Sequence, residues 1–218
     1  MPVAPAKLML FVTTAVVLLL TPGPVVLYVV ARSMSQGRRA GLVSVLGAEL
    51  GNSVHVLGAA LGLAALLASS AAAFSVVKYL GAAYLVYLGV RKLTATAADD
   101  SGAREVPSEK LHSIFAQGVL VAVLNPKTAL FFLAFLPQFV DPGRGDPTAQ
   151  ILTLGGLFVG LGLVSDSAYA LLAGTFGRWL WTHPRFARGE RYVCGTVYIG
   201  LGALAAFSSG PGARSTKP

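Results

Sequence analysis

The sequence predicts an all-α polytopic membrane protein of six transmembrane helices, arranged as a 3+3 inverted repeat whose first and fourth helices are broken. Three observations carry this expectation. Of 218 residues, 55% are hydrophobic and 12% charged, with a mean hydropathy of +0.69, where a soluble domain carries about 25% charged residues. The apolar residues fall in blocks close to the roughly 20 residues that cross a hydrocarbon core. Proline interrupts the first block of each half, as it does in transporters built from inverted repeats. The composition excludes a disordered chain, a nucleic-acid-binding arm and an ordinary water-soluble enzyme. The single cysteine, Cys194, excludes an internal disulfide, a paired-thiol redox site and a cysteine metal cage. The net charge of +8 lies mainly in loops, so no nucleic-acid groove is needed to explain it.

The six spans run from Leu8 to Ala31, Leu42 to Ala68, Phe74 to Val90, Ile114 to Val140, Gln150 to Ala173 and Tyr192 to Phe207. The first is expected to be an uncleaved span and not a signal peptide, because no A-x-A-like site follows and the basic cluster Arg32, Arg38, Arg39 comes after the apolar run. A polar stretch, Thr94 to Pro107, divides the single domain (1–218) into half one (8–93), a cytoplasmic linker (94–113) and half two (114–207). Alternate loops hold eleven and four Lys and Arg residues, which places the richer set in the cytoplasm and both termini outside.

The first span contains Thr21-Pro22-Gly23-Pro24 and the fourth contains Asn125-Pro126-Lys127. Each proline lacks an N–H, so the carbonyls of Leu18, Leu20 and Ala122 lose their helical partners. Buried in a bilayer, such groups need protein or a water-filled cavity. The helix start after Pro24 offers free N–H groups and a partial positive charge suited to a carboxylate. The orphaned carbonyls suit an ammonium group or a cation. The two breaks are expected to form one site near the bilayer midplane.

Four formal charges lie within the spans: Glu49, Lys78, Lys127 and Asp166. Two acids and two bases suggest pairing or a wet cavity. Lys78 lies near a span end and can snorkel. Lys127 is central, as a carboxylate ligand or an internal counter-ion. Gly155, Gly162, Asp166 and Tyr169 share one helical stripe, so Asp166 faces packed protein and can hold an ammonium or a coupling proton. Gly47, Gly51, Gly58 and Gly62 form a second stripe. Glu49 projects from nearly the opposite side, which implies contact on two faces and suits a solvated cytoplasmic mouth as well as a site position. Asn52 and His55 join Glu49 and Tyr169 as coupling or accessory candidates, with His55 read first as a hydrogen-bonded packing residue. His55, His112 and His183 form no pair at ligand spacing, so no metal site is expected. No nucleophile elbow or phosphate loop occurs, and neither enzymatic activity nor a cofactor is expected. Tyr84, Tyr87, Phe131, Phe132, Phe135 and Phe139 read as packing and lipid-facing residues.

The strings TPGPVVLYVVARSMSQGRRAGL (Thr21 to Leu42), VKYLGAAYLVYLGVRKL (Val77 to Leu93) and FAQGVLVAVLNPKTALFFLAFLPQFV (Phe115 to Val140) resemble the LysE/RhtB family of bacterial amino-acid exporters. The resemblance extends from about Leu8 to Gly202. It implies a six-span secondary transporter of the bacterial plasma membrane, exporting amino acids or close derivatives by alternating access and driven by a proton or ion gradient. It marks Pro22, Gly23, Pro24, Asn125, Pro126 and Lys127 as motif positions. Its expected partners are an amino-acid substrate, a coupling proton or ion, the lipid bilayer and a second copy of the chain in a homo-oligomer. Two departures stand out. Val25 follows the proline motif where many relatives have Asn, and Glu49 stands where relatives often have a small or apolar residue. A metal-ion exporter of the same superfamily is the alternative.

Overall fold

In a computed structural model, the chain is described over residues 3–63 and 108–181, with side chains to 175, and at scattered helical positions within 76–94 and 192–207. The described residues are helical or irregular, without a strand. Helix α1 is Pro5–Leu20 and α2 is Pro24–Gly58, running on into a π-helical turn at Ala59–Leu63. Helix α3 is Leu111–Val123, α4 is Pro126–Leu130, and α5 is Pro147–Trp181. Proline opens α1, α2 and α4 near the position where a missing N–H costs nothing. Asp146 caps α5 by accepting from the N–H groups of Thr148 and Ala149 at 3.2 and 3.0 Å.

By length and composition, 24–62 and 147–175 are apolar enough to cross a membrane, and α3 with the segment Pro126–Phe139, bent by 42°, forms a third candidate. The first of these is a hairpin. Gly37 has φ +82°, ψ 178°, and a Cβ built on Gly41 would lie 1.8 Å from Ser33 Oγ. Eight residues of straight helix separate two groups by about 12 Å, so the chain reverses at Gly37. Val25 and Val29 pack in one cluster with Val45 and Ala48, which fits the same reversal. The loop expected between Ala31 and Leu42 is therefore two helical arms, 24–36 and 38–58, meeting at one glycine. Arg32, expected in that loop, is a helical residue only 4% exposed.

Glycines set the packing. Cβ atoms on Gly47 and Gly51 would strike the Phe115 and Val119 carbonyls at 2.2 and 2.6 Å, and one on Gly118 would strike the Ser44 carbonyl at 2.7 Å. The backbones of α2 and α3 thus touch, as small residues permit in membranes. On α5, Gly155 faces Val56, Gly162 faces Glu49 and Gly174 faces Arg38, so α5 runs antiparallel to the second arm of α2. That arm is held on two faces, as expected. Gly58 and Gly62 have no neighbour within 4 Å of a built Cβ among the described residues.

The segment after α4 is not a plain helix. It passes through a π-helical turn, Phe131–Phe135, into a 3-10 turn, Leu136–Phe139, where Pro137 has no N–H to give. Phe131, Phe132, Phe135 and Phe139 are all buried, in a cluster with Phe11 and Phe158. The lipid-facing part of their expected role is not observed. Leu46, Leu50, Val54, Leu57 and Leu61 are instead the exposed row, while Glu49, Asn52, Asn125, Lys127 and Asp166 are buried. Apolar outside and polar inside is the arrangement that hydrocarbon solvent favours. The third and sixth spans, Lys78, Tyr84, the Thr94 to Pro107 stretch and Cys194 lie wholly or mainly outside the described residues.

Candidate functional site

The two proline breaks meet. Lys127 Nζ donates to the Thr21 carbonyl, 106 positions away. Lys127 is held at the start of α4, where Asn125 Oδ1 accepts from its N–H at 3.1 Å and Asn125 Nδ2 donates to Thr128 Oγ1 at 2.9 Å. The orphaned carbonyls have partners from this same chain. Leu18 accepts from the Thr21 N–H at 3.1 Å. Leu20 accepts from the Tyr169 hydroxyl at 2.8 Å. Ala122 accepts from the Asn125 N–H at 3.0 Å and lies 3.1 Å from His55 Nε2. A carbonyl only accepts, so that histidine nitrogen carries the proton. Each of the three carbonyls expected to be bared thus has a donor within the chain, a backbone N–H for Leu18, the α5 side chain of Tyr169 for Leu20, and a backbone N–H with the α2 side chain of His55 for Ala122.

Between the breaks lies a small polar pocket, lined by Leu19, Gly23, Val25, Val26, Asn52, Asn125, Lys127, Thr128, Phe158 and Asp166. One side is the start of α2, where Gly23 is an N-cap without a side-chain hydrogen bond. Pro24 has no N–H, and the first return bond of this helix is Leu27 N–H to the Gly23 carbonyl, at 2.9 Å. The N–H groups of Val25 and Val26 therefore stand at the positions that no intrahelical carbonyl serves. The lining also carries oxygen. Asp166 and Asn52 are each 3% exposed, and Asp166 Oδ1 and Asn52 Oδ1 have no hydrogen-bond partner among the described residues. Lys127 acts electrostatically on Asp166.

Glu49 sits behind Asn52, accepting from its Nδ2 at 3.2 Å. Its carboxylate lies against Gly162, one helical turn from Asp166, and is 5% exposed with Oε1 unpartnered among the described residues. The solvated-mouth reading of Glu49 is corrected. The reversal at Gly37 and the missing Cβ of Gly162 let α5 cover it, and it shares the interior with Asp166.

A pocket at paired helix breaks in an inside-out helical chain agrees with the comparisons to known proteins. Residues 16–209 match the family described as LysE type translocator. The chain belongs to that family. It is 37% identical to an uncharacterized membrane protein of Pseudomonas aeruginosa, covering 91% of this chain and 94% of that one. It is 29% identical to a homoserine/homoserine lactone efflux protein of Salmonella typhimurium, over 90% and 94% of the two chains. It is 28% identical to a leucine efflux protein of Klebsiella pneumoniae, over 88% and 91%. No solved structure matches the chain.

Within this LysE type translocator, the expected site residues divide into three groups. Gly23, Asn125, Lys127, Asp166 and Asn52 line the pocket. Pro22, Pro24 and Pro126 do not line it, and shape it by breaking the helices. His55 and Tyr169 bond the bared carbonyls, and Glu49 lies behind the lining. Sequence reasoning missed Thr128, buried and bonded to Asn125, and Phe158 on α5. Thr128 was legible as a hydroxyl in the first turn after the Asn-Pro break, whereas Phe158 carries no signal apart from its position.

A second polar cluster joins the first arm of α2 to the start of α3. Arg32 Nη2 donates to Glu109 Oε1 and to Gln117 Oε1, each at 2.7 Å. Ser113 Oγ donates to Glu109 Oε2 at 2.6 Å. Gln36 Nε2 donates to the Glu109 carbonyl at 2.8 Å, and its Oε1 accepts the Glu109 N–H at 3.0 Å. The Ser113 hydroxyl first, and then Arg32, hold the Glu109 carboxyl below the usual carboxylate range.

Proposed function

We propose that this translocator is a secondary active transporter that exports amino acids or close derivatives across the bacterial plasma membrane by alternating access, coupled to a proton or another ion. In this reading it has six spans in two inverted halves, with the termini outside. The observation that carries it is the polarity of the pocket. The helix start at Gly23, Val25 and Val26, with its amide N–H groups and dipole, lines the same pocket as Asp166 and Asn52, each of which has an unpartnered oxygen among the described residues. A zwitterion has the matching ends, its carboxylate for the helix start and its ammonium for the oxygens. The printed functions of two relatives, efflux of homoserine or homoserine lactone and of leucine, support the same class. Lys127 serves here as an internal counter-ion that joins the breaks, and Asp166 as the ammonium ligand. The metal-ion alternative gains nothing from the pocket, where Asp166 is the only carboxylate among the described lining residues and no histidine or thiol joins it.

Efflux of labelled leucine and homoserine from proteoliposomes, with manganese and cadmium as comparison cargo, tests this reading. The expected result is amino-acid efflux that Asp166→Asn abolishes. Transport of the metals with no amino acid moved would overturn it.

A further inference from the structure

The described lining of the pocket divides by chemistry. Asn125 Oδ1 accepts from the Lys127 N–H, Asn125 Nδ2 donates to Thr128 Oγ1, and Lys127 Nζ donates to the Thr21 carbonyl, so these polar groups are committed to one another and to the backbone. In the reading above, the Val25 and Val26 N–H groups take the substrate carboxylate, and the oxygens of Asp166 and Asn52 take its ammonium. Leu19 of α1 and Phe158 of α5 offer neither a donor nor an acceptor. These two lining side chains belong to one buried apolar cluster, whereas Val25 and Val26 belong to two others. Phe158 is also held in place. Its ring centre lies 5.0 Å from that of Phe131 and 5.1 Å, edge to face, from that of Phe132, and Phe132 stacks on His55 at 6.3 Å. The His55 ring is itself fixed by its bond to the Ala122 carbonyl. A ring packed against two others does not turn aside for a longer ligand.

We propose that Leu19 and Phe158 form the side-chain subsite of the pocket, and that the substrate is a neutral amino acid with an aliphatic side chain whose length Phe158 limits. The inference names the substrate class of the site proposed above and rests on that reading. A hydroxyl carried to this wall loses its water and finds no partner on Leu19 or Phe158, which sets an aliphatic side chain above its hydroxyl-bearing isostere. A charged side chain meets a larger desolvation penalty at the same wall. Selectivity therefore comes from the apolar cluster on which the first proline break rests, and the common zwitterion is held by the polar groups.

The test uses the full chain in proteoliposomes and pairs of amino acids matched in shape, norvaline with homoserine and valine with threonine. The wild type should favour the aliphatic member of each pair by about ten- to a hundredfold in apparent affinity, the range open to an apolar wall against an added hydroxyl. Leu19→Asn, which nearly keeps the side-chain volume, should bring that ratio towards one. Phe158→Ala should raise transport of phenylalanine relative to leucine, and Phe158→Leu should do so to a smaller degree in a protein whose aromatic cluster is less disturbed. Each ratio is read within one protein, so a general loss of stability does not move it. A wild type that takes both members of each pair alike overturns the proposal, and so do ratios that none of these variants changes. A wild type that moves none of the probes fails the amino-acid reading instead, and this inference falls with it.

Discussion

Lys127 and Thr21 join the two proline breaks through a hydrogen bond, from an ammonium beside one break to a backbone carbonyl at the other. Each break supplies what the other lacks. The Asn-Pro-Lys segment brings a cation to the membrane interior, and the Thr-Pro-Gly-Pro segment brings acceptors without helical donors. Residues of both breaks line the pocket where they meet.

Removing the ammonium should therefore cost stability as well as transport. Lys127→Met leaves the Thr21 carbonyl without this donor and Asp166 without its compensating charge, and a loss of about 3–5 kcal/mol is expected. Adding Asp166→Asn should recover part of that loss. Unfolding in detergent of the two single variants and the double variant measures the coupling, and strict additivity would contradict it.

Tyr169 and Pro24 should show a similar interdependence. Tyr169→Phe removes the hydroxyl that serves the Leu20 carbonyl, at an expected cost of about 1–3 kcal/mol. Pro24→Ala supplies an N–H four residues after Leu20, so the tyrosine change should be milder in that background. An identical cost in both backgrounds would show that the hydroxyl does not serve this carbonyl.

The glycines of the second helix should separate sharply. Gly47→Ala drives a methyl into the Phe115 backbone and is expected to destabilise by about 1–3 kcal/mol. Gly58→Ala meets nothing within 4 Å among the described residues and should be neutral or stabilising by up to about 1 kcal/mol through helix propensity. Paired melting curves in one detergent compare them directly.

Acid should loosen the Arg32 cluster. The Glu109 carboxyl is held below its ordinary value when folded, so its contribution is present above the usual carboxylate range and disappears as pH falls through the depressed folded-state value. Glu109→Gln should flatten this part of the acid limb while leaving stability near neutral pH lower and less dependent on pH. Denaturation of both proteins between about pH 3 and pH 7 checks the sign.

Topology is open to labelling. In a Cys194→Ser background, a cysteine within Thr94 to Pro107 should resist a membrane-impermeant maleimide added from outside, while tags on both termini should react. A protected C-terminus would require an odd span count or the inverted orientation.

Much of this was written in local sequence. The Thr21 to Pro24 and Asn125 to Lys127 breaks were legible because proline removes a donor wherever it stands, and the Gly155, Gly162, Asp166 stripe because helical spacing fixes which residues share a face. The π-helical turn at Phe131–Phe135 and the reversal at Gly37 were not. A short apolar run reads alike in either helix type, and one glycine among helix formers does not announce a turn.

The sequence by itself determined that this chain is helical and lipid-solvated, where its helices break, and which carbonyls those breaks bare. Only the tertiary structure decided that Tyr169 serves Leu20 and His55 serves Ala122, and that Lys127 reaches the Thr21 carbonyl, which was not among those expected to be bared. It also brought Glu49 out of a supposed cytoplasmic mouth and set it against Gly162 beside Asp166. The physical reason is range. Proline chemistry and helical periodicity act within four residues, whereas a buried charge finds its partner through the packing of helices distant in sequence.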